Sequence, residues 1–292
     1  MWTLFGVLFP SSQRRGGCED EVRADGVVGS AKLFGRTDHP GALRRHPSSA
    51  RRGIILSLSL AVAFSLSTLA HAQATTAKAA SPTDFTGYWV SVVTEDWLYR
   101  MVTPAKGDYS SVPINPEGRK VADAWNPAKD EADHNECKAY GAPAIMRVPG
   151  RLHITWADDN TLRIETDAGA QVRTLHFGGA SSKQAPDWQG YSAANWQIFA
   201  GRGGPTRGGY LKVVTTGMRP GYLRKNGVPY SSKAVLTEYY TRVKEPNNSD
   251  SYLIVTSVVD DPEYLTQPFV TSTNFKGLPD SSGWNPTPCS AK

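Results

Sequence analysis

Arg151-Leu152-His153-Ile154-Thr155-Trp156, then Thr161-Leu162-Arg163-Ile164-Glu165-Thr166, then Gln171-Val172-Arg173-Thr174-Leu175-His176-Phe177 are three runs of alternating apolar and polar side chains within a chain of 292 residues. Alternation with a period of two marks a half-buried β-strand, because successive side chains leave the backbone on opposite faces. The connections are Ala157-Asp158-Asp159-Asn160 and Asp167-Ala168-Gly169. Asp, Asn and Gly tolerate the backbone angles of tight turns, so the stretch predicts an antiparallel meander.

Outward from the meander the same pattern recurs. Strands are expected through Val90, Val92 and Val93 and over residues 196–199, 211–216, 235–243 and 252–259. A long loop rich in Gly and aromatics is expected from Gly178 to about Asn195. Residues 201–209 (Gly-Arg-Gly-Gly-Pro-Thr-Arg-Gly-Gly) lack the Gly-Lys-Ser/Thr ending of a phosphate cradle and precede no helix pattern, so they read as a flexible loop. One helical insertion stands out, with Asn115 as cap, Pro116 in the first position, then Glu117, Val121, Ala122, Ala124 and Trp125. Pro127 ends or restarts it, and a second short turn of helix covers residues 128–134. Eight or so antiparallel strands with one short helical insertion predict a mainly β protein, a closed barrel or a sandwich, forming a single domain over residues 84–292.

The N-terminal part reads as a leader. Residues 51–72 contain Arg51-Arg52, an apolar run of about 17 residues, shorter than a membrane-spanning helix needs, and Ala70-His71-Ala72 as a small-x-small cleavage site. This predicts a signal peptide cleaved after Ala72 and a periplasmic or secreted protein, free of the membrane after cleavage. Residues 1–50, rich in Arg, Gly and Ser, read as disordered or as sequence upstream of the true start, and residues 73–83 as a low-complexity linker with nothing to bury. The chain has 32 Lys and Arg against 27 Asp and Glu, but nine of those bases and only five of those acids precede residue 73, leaving 23 against 22. A near-neutral mature chain has no overall electrostatic footprint for nucleic acid or an anionic membrane. Two cysteines remain in it, Cys137 and Cys289, and an even number in an oxidising compartment predicts a disulfide between them.

Three stretches carry a family resemblance: Leu236-Thr-Glu-Tyr-Tyr-Thr-Arg242, Tyr252-Leu-Ile-Val-Thr-Ser-Val-Val-Asp-Asp-Pro262 and Tyr264-Leu-Thr-Gln-Pro-Phe269, followed by a Cys near the end. Together they resemble the C-terminal half of a group of secreted bacterial proteins with lipocalin-like (calycin) barrels. The block from Cys137 to Arg147 with Pro149-Gly150-Arg151 is similar to that group's Cys-x-Pro-x-Gly-x-Pro-Arg stretch, with Ala139 and Tyr140 where its first Pro would fall. The resemblance covers residues 84–289 and implies an antiparallel lipocalin-like barrel; it carries over no catalytic residues.

His153 and His176 are the first candidates for chemistry. Of three histidines after residue 72, these two lie on the first and third strands of the meander, about 10 Å apart if they share a face. Arg163 and Glu165 occupy one face of the strand between them, opposite Leu162 and Ile164; either face is open to be the lumen. With Glu165 as orienting partner, a His pair could remove one proton and deliver another. Tyr140 and Trp156 are expected as an aromatic cavity wall, with Arg147 and Arg163 able to hold an anionic or phenolic oxygen. Asp130, His134 and Cys137 have ligand-like spacing, but the disulfide claims Cys137, and no metal is expected. Neither a Gly-x-Ser-x-Gly elbow nor a dinucleotide fingerprint is present, and no organic cofactor is expected. These residues lead to a cofactor-independent lyase or isomerase acting on a small aromatic or apolar molecule in the barrel. The alternative is a periplasmic small-ligand carrier with the same cavity and no catalysis.

Overall fold

The computed structural model describes residues 75–179, 185–199 and 208–292. The expected leader and signal peptide, and most of the loop at 201–209, lie outside the described residues. The chain is mainly β. Nine strands close into a barrel: β1 (Gly87–Val92), β2 (Arg151–Asp158), β3 (Thr161–Thr166), β4 (Val172–Phe177), β5 (Tyr191–Ile198), β6 (Gly209–Thr216), β9 (Val235–Lys244), β10 (Ser251–Asp260) and β11 (Phe269–Leu278). A separate hairpin, β7 (Gly221–Tyr222) with β8 (Pro229–Tyr230), stands between β6 and β9.

Around the barrel the order is β1-β11-β10-β9-β6-β5-β4-β3-β2. The expectation of a purely antiparallel barrel is corrected here, because β4 and β5 run parallel, with Leu175 opposite Ser192 and Phe177 opposite Ala194. A ring of nine strands cannot alternate direction all the way round, so an odd count requires a parallel neighbour somewhere. It falls between β4 and β5, where thirteen residues separate Phe177 from Tyr191, the length of connection that a parallel pair needs.

Alternation along the strands sets the lumen. Leu152, Ile154, Leu162, Ile164, Leu175, Leu211, Val213 and Phe275 are all buried there at 3% exposure or less. Among them lies one ion pair: Arg173 Nη2 is 2.6 Å and Nη1 3.0 Å from the two carboxylate oxygens of Glu238, with the Tyr240 hydroxyl alongside. Burial is affordable for this pair because the guanidinium fork meets the carboxylate with both arms.

Helices are more numerous than the single expected insertion. Asn115 caps α2 (Pro116–Asp123) by accepting from the Gly118 amide, as the sequence indicates, and the second turn expected over 128–134 forms as α3 (Pro127–Ala132), capped by Asn126. In addition there are α1 (Trp97–Met101), a 3-10 turn at Glu136–Tyr140 and α4 (Ala142–Ile145). All are too short for the 3.6-residue period to show above the noise of their loops. A second core of Ile114, Met218, Leu223, Tyr230, Leu236 and Phe269 packs beneath these segments and extends the interior past one end of the barrel. Cys137 and Cys289 are joined. Residues 75–83, expected to bury nothing, instead lie on the barrel: the Ala77 amide donates to Asn160 Oδ1 (2.9 Å) and its carbonyl accepts from the Trp196 indole (2.8 Å).

Candidate functional site

Of the two faces the meander left open, the lumen takes Leu162 and Ile164, which places His153, Arg163 and Glu165 outside. There His153 Nδ1 lies 3.2 Å from Glu165 Oε2, and Arg163 Nη1 2.9 Å from the same oxygen. The imidazole stacks on Tyr88 with ring centroids 4.1 Å apart. His176 also faces outward and stacks on Tyr191. The two histidines therefore share a face, but His153 is opposite Glu165 and His176 opposite Thr161. Four positions along β3 add about 13 Å to the spacing across the strands. Glu165 is a partner to His153 alone.

The expected ligand-binding residues divide between the barrel ends. Trp156 points inward at the far end of β2, tilted against Phe177 (5.7 Å), which in turn meets Trp196 (5.2 Å). Tyr140 and Arg147 lie at the other end, where β2 begins, and both line a cavity of about 340 Å³. Its walls come from α1 and the residues after it, the end of the 3-10 turn, residues 144–149, Ala168, the β7–β8 turn and Thr287 in the C-terminal tail. The disulfide shapes this wall. With Cys289 fixed to the 3-10 turn, the tail runs beside the β3–β4 turn and the Thr287 amide donates to the Asp167 carbonyl (2.8 Å). In the weighed Asp130, His134 and Cys137 set, two side chains are otherwise engaged: Cys137 is in the disulfide, and Asp130 accepts from Lys138 Nζ (2.5 Å) and the Tyr222 hydroxyl (2.8 Å).

Four basic side chains line the cavity: Arg100, Arg147, Arg224 and Lys225. The three arginines are 8%, 7% and 4% exposed, so each guanidinium has given up most of its water. Two have acidic partners. Arg100 pairs with Glu95 and donates from Nε to the Arg147 carbonyl (2.9 Å), and Arg147 Nη2 reaches Asp96 Oδ2 at 3.1 Å. Asp96 holds this geometry from the position just before α1, with a left-handed backbone (φ 47°), a conformation that Asp accepts better than most residues.

Arg224 is different. Its Nε, Nη1 and Nη2 are all buried with no hydrogen-bond partner among the described residues, and the guanidinium lies over the Tyr99 ring, with Cζ 4.4 Å from its centroid. Arg100 Nη2 and Arg147 Nη1 are likewise unpartnered. Burial lowers the pKa of Arg224 below the ordinary arginine value and the nearby Arg147 lowers it further, yet a guanidinium stays charged in any protein. Burial lowers that of Arg100 too, with Glu95 opposing. The backbone presents Arg224 deliberately. Leu223 N donates to Val228 O (2.7 Å), closing a turn whose Gly227 has φ +83°, and the buried Asn226 amide holds the turn to the carbonyls of Ala105 (3.1 Å) and Asp108 (2.8 Å). Five unsatisfied N–H-bearing nitrogens around one cavity, beside two tyrosine rings, suit an oxyanion on a compact organic body.

Comparison with protein-family models, with curated proteins and with solved structures finds no match to this chain. Arg100, Arg224 and Lys225 were missed in the sequence because each sits in a short loop or single helical turn with no period to assign it a face. Arg173 and Glu238 did carry a signal: each shares strand parity with apolar residues, Leu175 for one and Leu236 and Tyr240 for the other.

Proposed function

We propose that this chain is an exported binding protein for a small organic anion, held by Arg224, Arg100 and Arg147 at the end of its barrel. One observation carries the reading: Arg224, which lines a cavity large enough for a ligand, is buried with three guanidinium nitrogens that have no hydrogen-bond partner among the described residues. An unpaired buried cation destabilises the fold that holds it, and an oxyanion in the cavity supplies the missing acceptors. Export is supported by the disulfide, which persists in oxidising compartments. The closed barrel is compatible with the lipocalin-like resemblance, although the parallel β4–β5 pair departs from an antiparallel lipocalin pattern. The carrier reading takes precedence over the lyase reading because His153 and His176 stand outside the barrel, offset along β3, and neither lines this cavity.

Phenyl phosphate and benzoate, anions with an aromatic body, are suitable probes for calorimetric titration of the purified chain. Binding by the wild type is expected, and Arg224→Gln should weaken it by about 10- to 100-fold, the worth of charge-assisted hydrogen bonds. Equal affinity in the two proteins, or no binding by the wild type, overturns the proposal. His153→Ala and His176→Ala should bind like the wild type.

A further inference from the structure

Beside the arginine cavity the surface is unusually apolar. Trp97, Leu98, Met101 and, just past the end of α1, Val102 are 61%, 51%, 60% and 60% exposed. Within α1, Met101 follows Trp97 by four residues and Leu98 by three, so the three share one side of the helix, and Val102 continues the apolar stretch in extended backbone. The opposite side is anchored, with Arg100 buried against Glu95 and the Arg147 carbonyl. Met101 and Val102 belong to the apolar ridge and also line the cavity, so the ridge adjoins the pocket that the buried arginines and Lys225 line. Large apolar side chains in such a contiguous exposed group mark an interaction site.

We infer that α1 docks this protein on an anionic phospholipid bilayer, with Trp97 and Leu98 entering the interface and the phosphate of one lipid headgroup in the arginine cavity. The inference rests on the anion-binding reading of that cavity and names the source of the anion. Charge complementarity selects the occupant. An apolar ridge alone would fit a protein partner equally well, but this one adjoins Arg100, Arg147, Arg224 and Lys225, opposed by Glu95, Asp96 and the more distant Asp108. A tryptophan and aliphatic side chains above a cationic pocket meet the two layers of a bilayer surface in order, acyl boundary and then phosphate. The near-neutral net charge of the mature chain does not bear on this contact, because screening confines surface electrostatics to about 8–10 Å.

The test is cosedimentation of residues 73–292 with vesicles of phosphatidylcholine alone and of phosphatidylcholine with phosphatidylglycerol, beside titration with soluble phenyl phosphate. The wild type is expected to bind the phosphatidylglycerol vesicles in preference, with a blue shift of Trp97 emission that Trp97→Phe removes. Trp97→Ser with Leu98→Ser should lower vesicle binding by roughly tenfold or more while leaving phenyl phosphate affinity unchanged, which also shows that the variant is folded. Arg224→Gln should weaken both. Wild type that binds phenyl phosphate but neither vesicle overturns the membrane inference and leaves the anion site standing. So does vesicle binding that the Trp97→Ser/Leu98→Ser protein retains in full. Failure to bind phenyl phosphate and vesicles alike overturns both.

Discussion

Arg224 is buried, charged and without a hydrogen-bond acceptor among the described residues, and a side chain in that condition is either a liability of the fold or the working part of a site. Stability measurements separate the two. If the arginine served packing, its removal would destabilise the protein; if it is held ready for an anion, the ligand-free fold carries an uncompensated cation close to Arg147 and gains from losing it. Arg224→Met is therefore expected to raise the stability of the ligand-free chain by about 1 kcal/mol in urea unfolding while abolishing phenyl phosphate binding. A loss of stability in that variant would assign Arg224 to the core. Only part of this site was legible in the sequence. Arg147 and Tyr140 could be chosen because they flank a Pro-Gly entry to a strand, whereas Arg224, between Leu223 and Lys225 in a six-residue turn, has no pattern around it. Its burial comes from the packing of residues 105–108 over the turn, a contact more than a hundred residues away in the chain.

Short elements position the cavity, and one covalent bond holds them together. Cys137 sits in the 3-10 turn and Cys289 in a proline-rich tail whose Thr287 forms part of the wall. The bond spans 152 residues, so its loss frees a large loop in the unfolded chain and releases the tail in the folded one. Replacing both cysteines by serine should lower stability by about 2–4 kcal/mol and also weaken phenyl phosphate binding, since the wall carrying Thr287 is no longer fixed. Stability and affinity measured on the same protein distinguish this from a purely structural cross-link, which would change only the first. The pairing was readable from the even cysteine number and the compartment that the leader leads one to expect. The helices show where such reading stops: the Asn115-Pro116 cap announced α2 and Pro127 marked the restart at α3, while α1, preceded by a left-handed Asp96 with no side-chain cap, had no such signal.

At the scale of the whole molecule, alternation was enough for a mainly β chain, barrel or sandwich, and insufficient for the direction of every strand. The meander's registers follow from short turns, so β2, β3 and β4 lie where the pattern put them, but the parallel β4–β5 pair depends on a long connection whose path no local residue specifies. Closing the barrel and capping one end also buries tyrosines, and that leads to a prediction in alkaline solution. Burial, with Asp123 accepting from its hydroxyl, pushes Tyr109 from 10.0 up to about 12. Tyr230 and Tyr240, at 0% and 1% exposure, are raised by burial as well. For each, the folded pKa lies above that of the unfolded chain, so the unfolded state releases its proton first as pH rises. The stability these tyrosines contribute is complete below about pH 10 and is lost as pH climbs toward the folded values, each group costing about 1.4 kcal/mol per pH unit. The urea midpoint is therefore expected to fall steeply between pH 10 and 12, with tyrosinate absorbance rising in step with unfolding. Tyr230 is the decisive position, because its hydroxyl is buried with no hydrogen-bond partner among the described residues. Tyr230→Phe removes that unsatisfied group, should be neutral or slightly stabilising near pH 7, and should make the alkaline decline shallower by one tyrosine's share. An unchanged slope in Tyr230→Phe would mean that this hydroxyl ionises as readily in the folded chain as in the unfolded one.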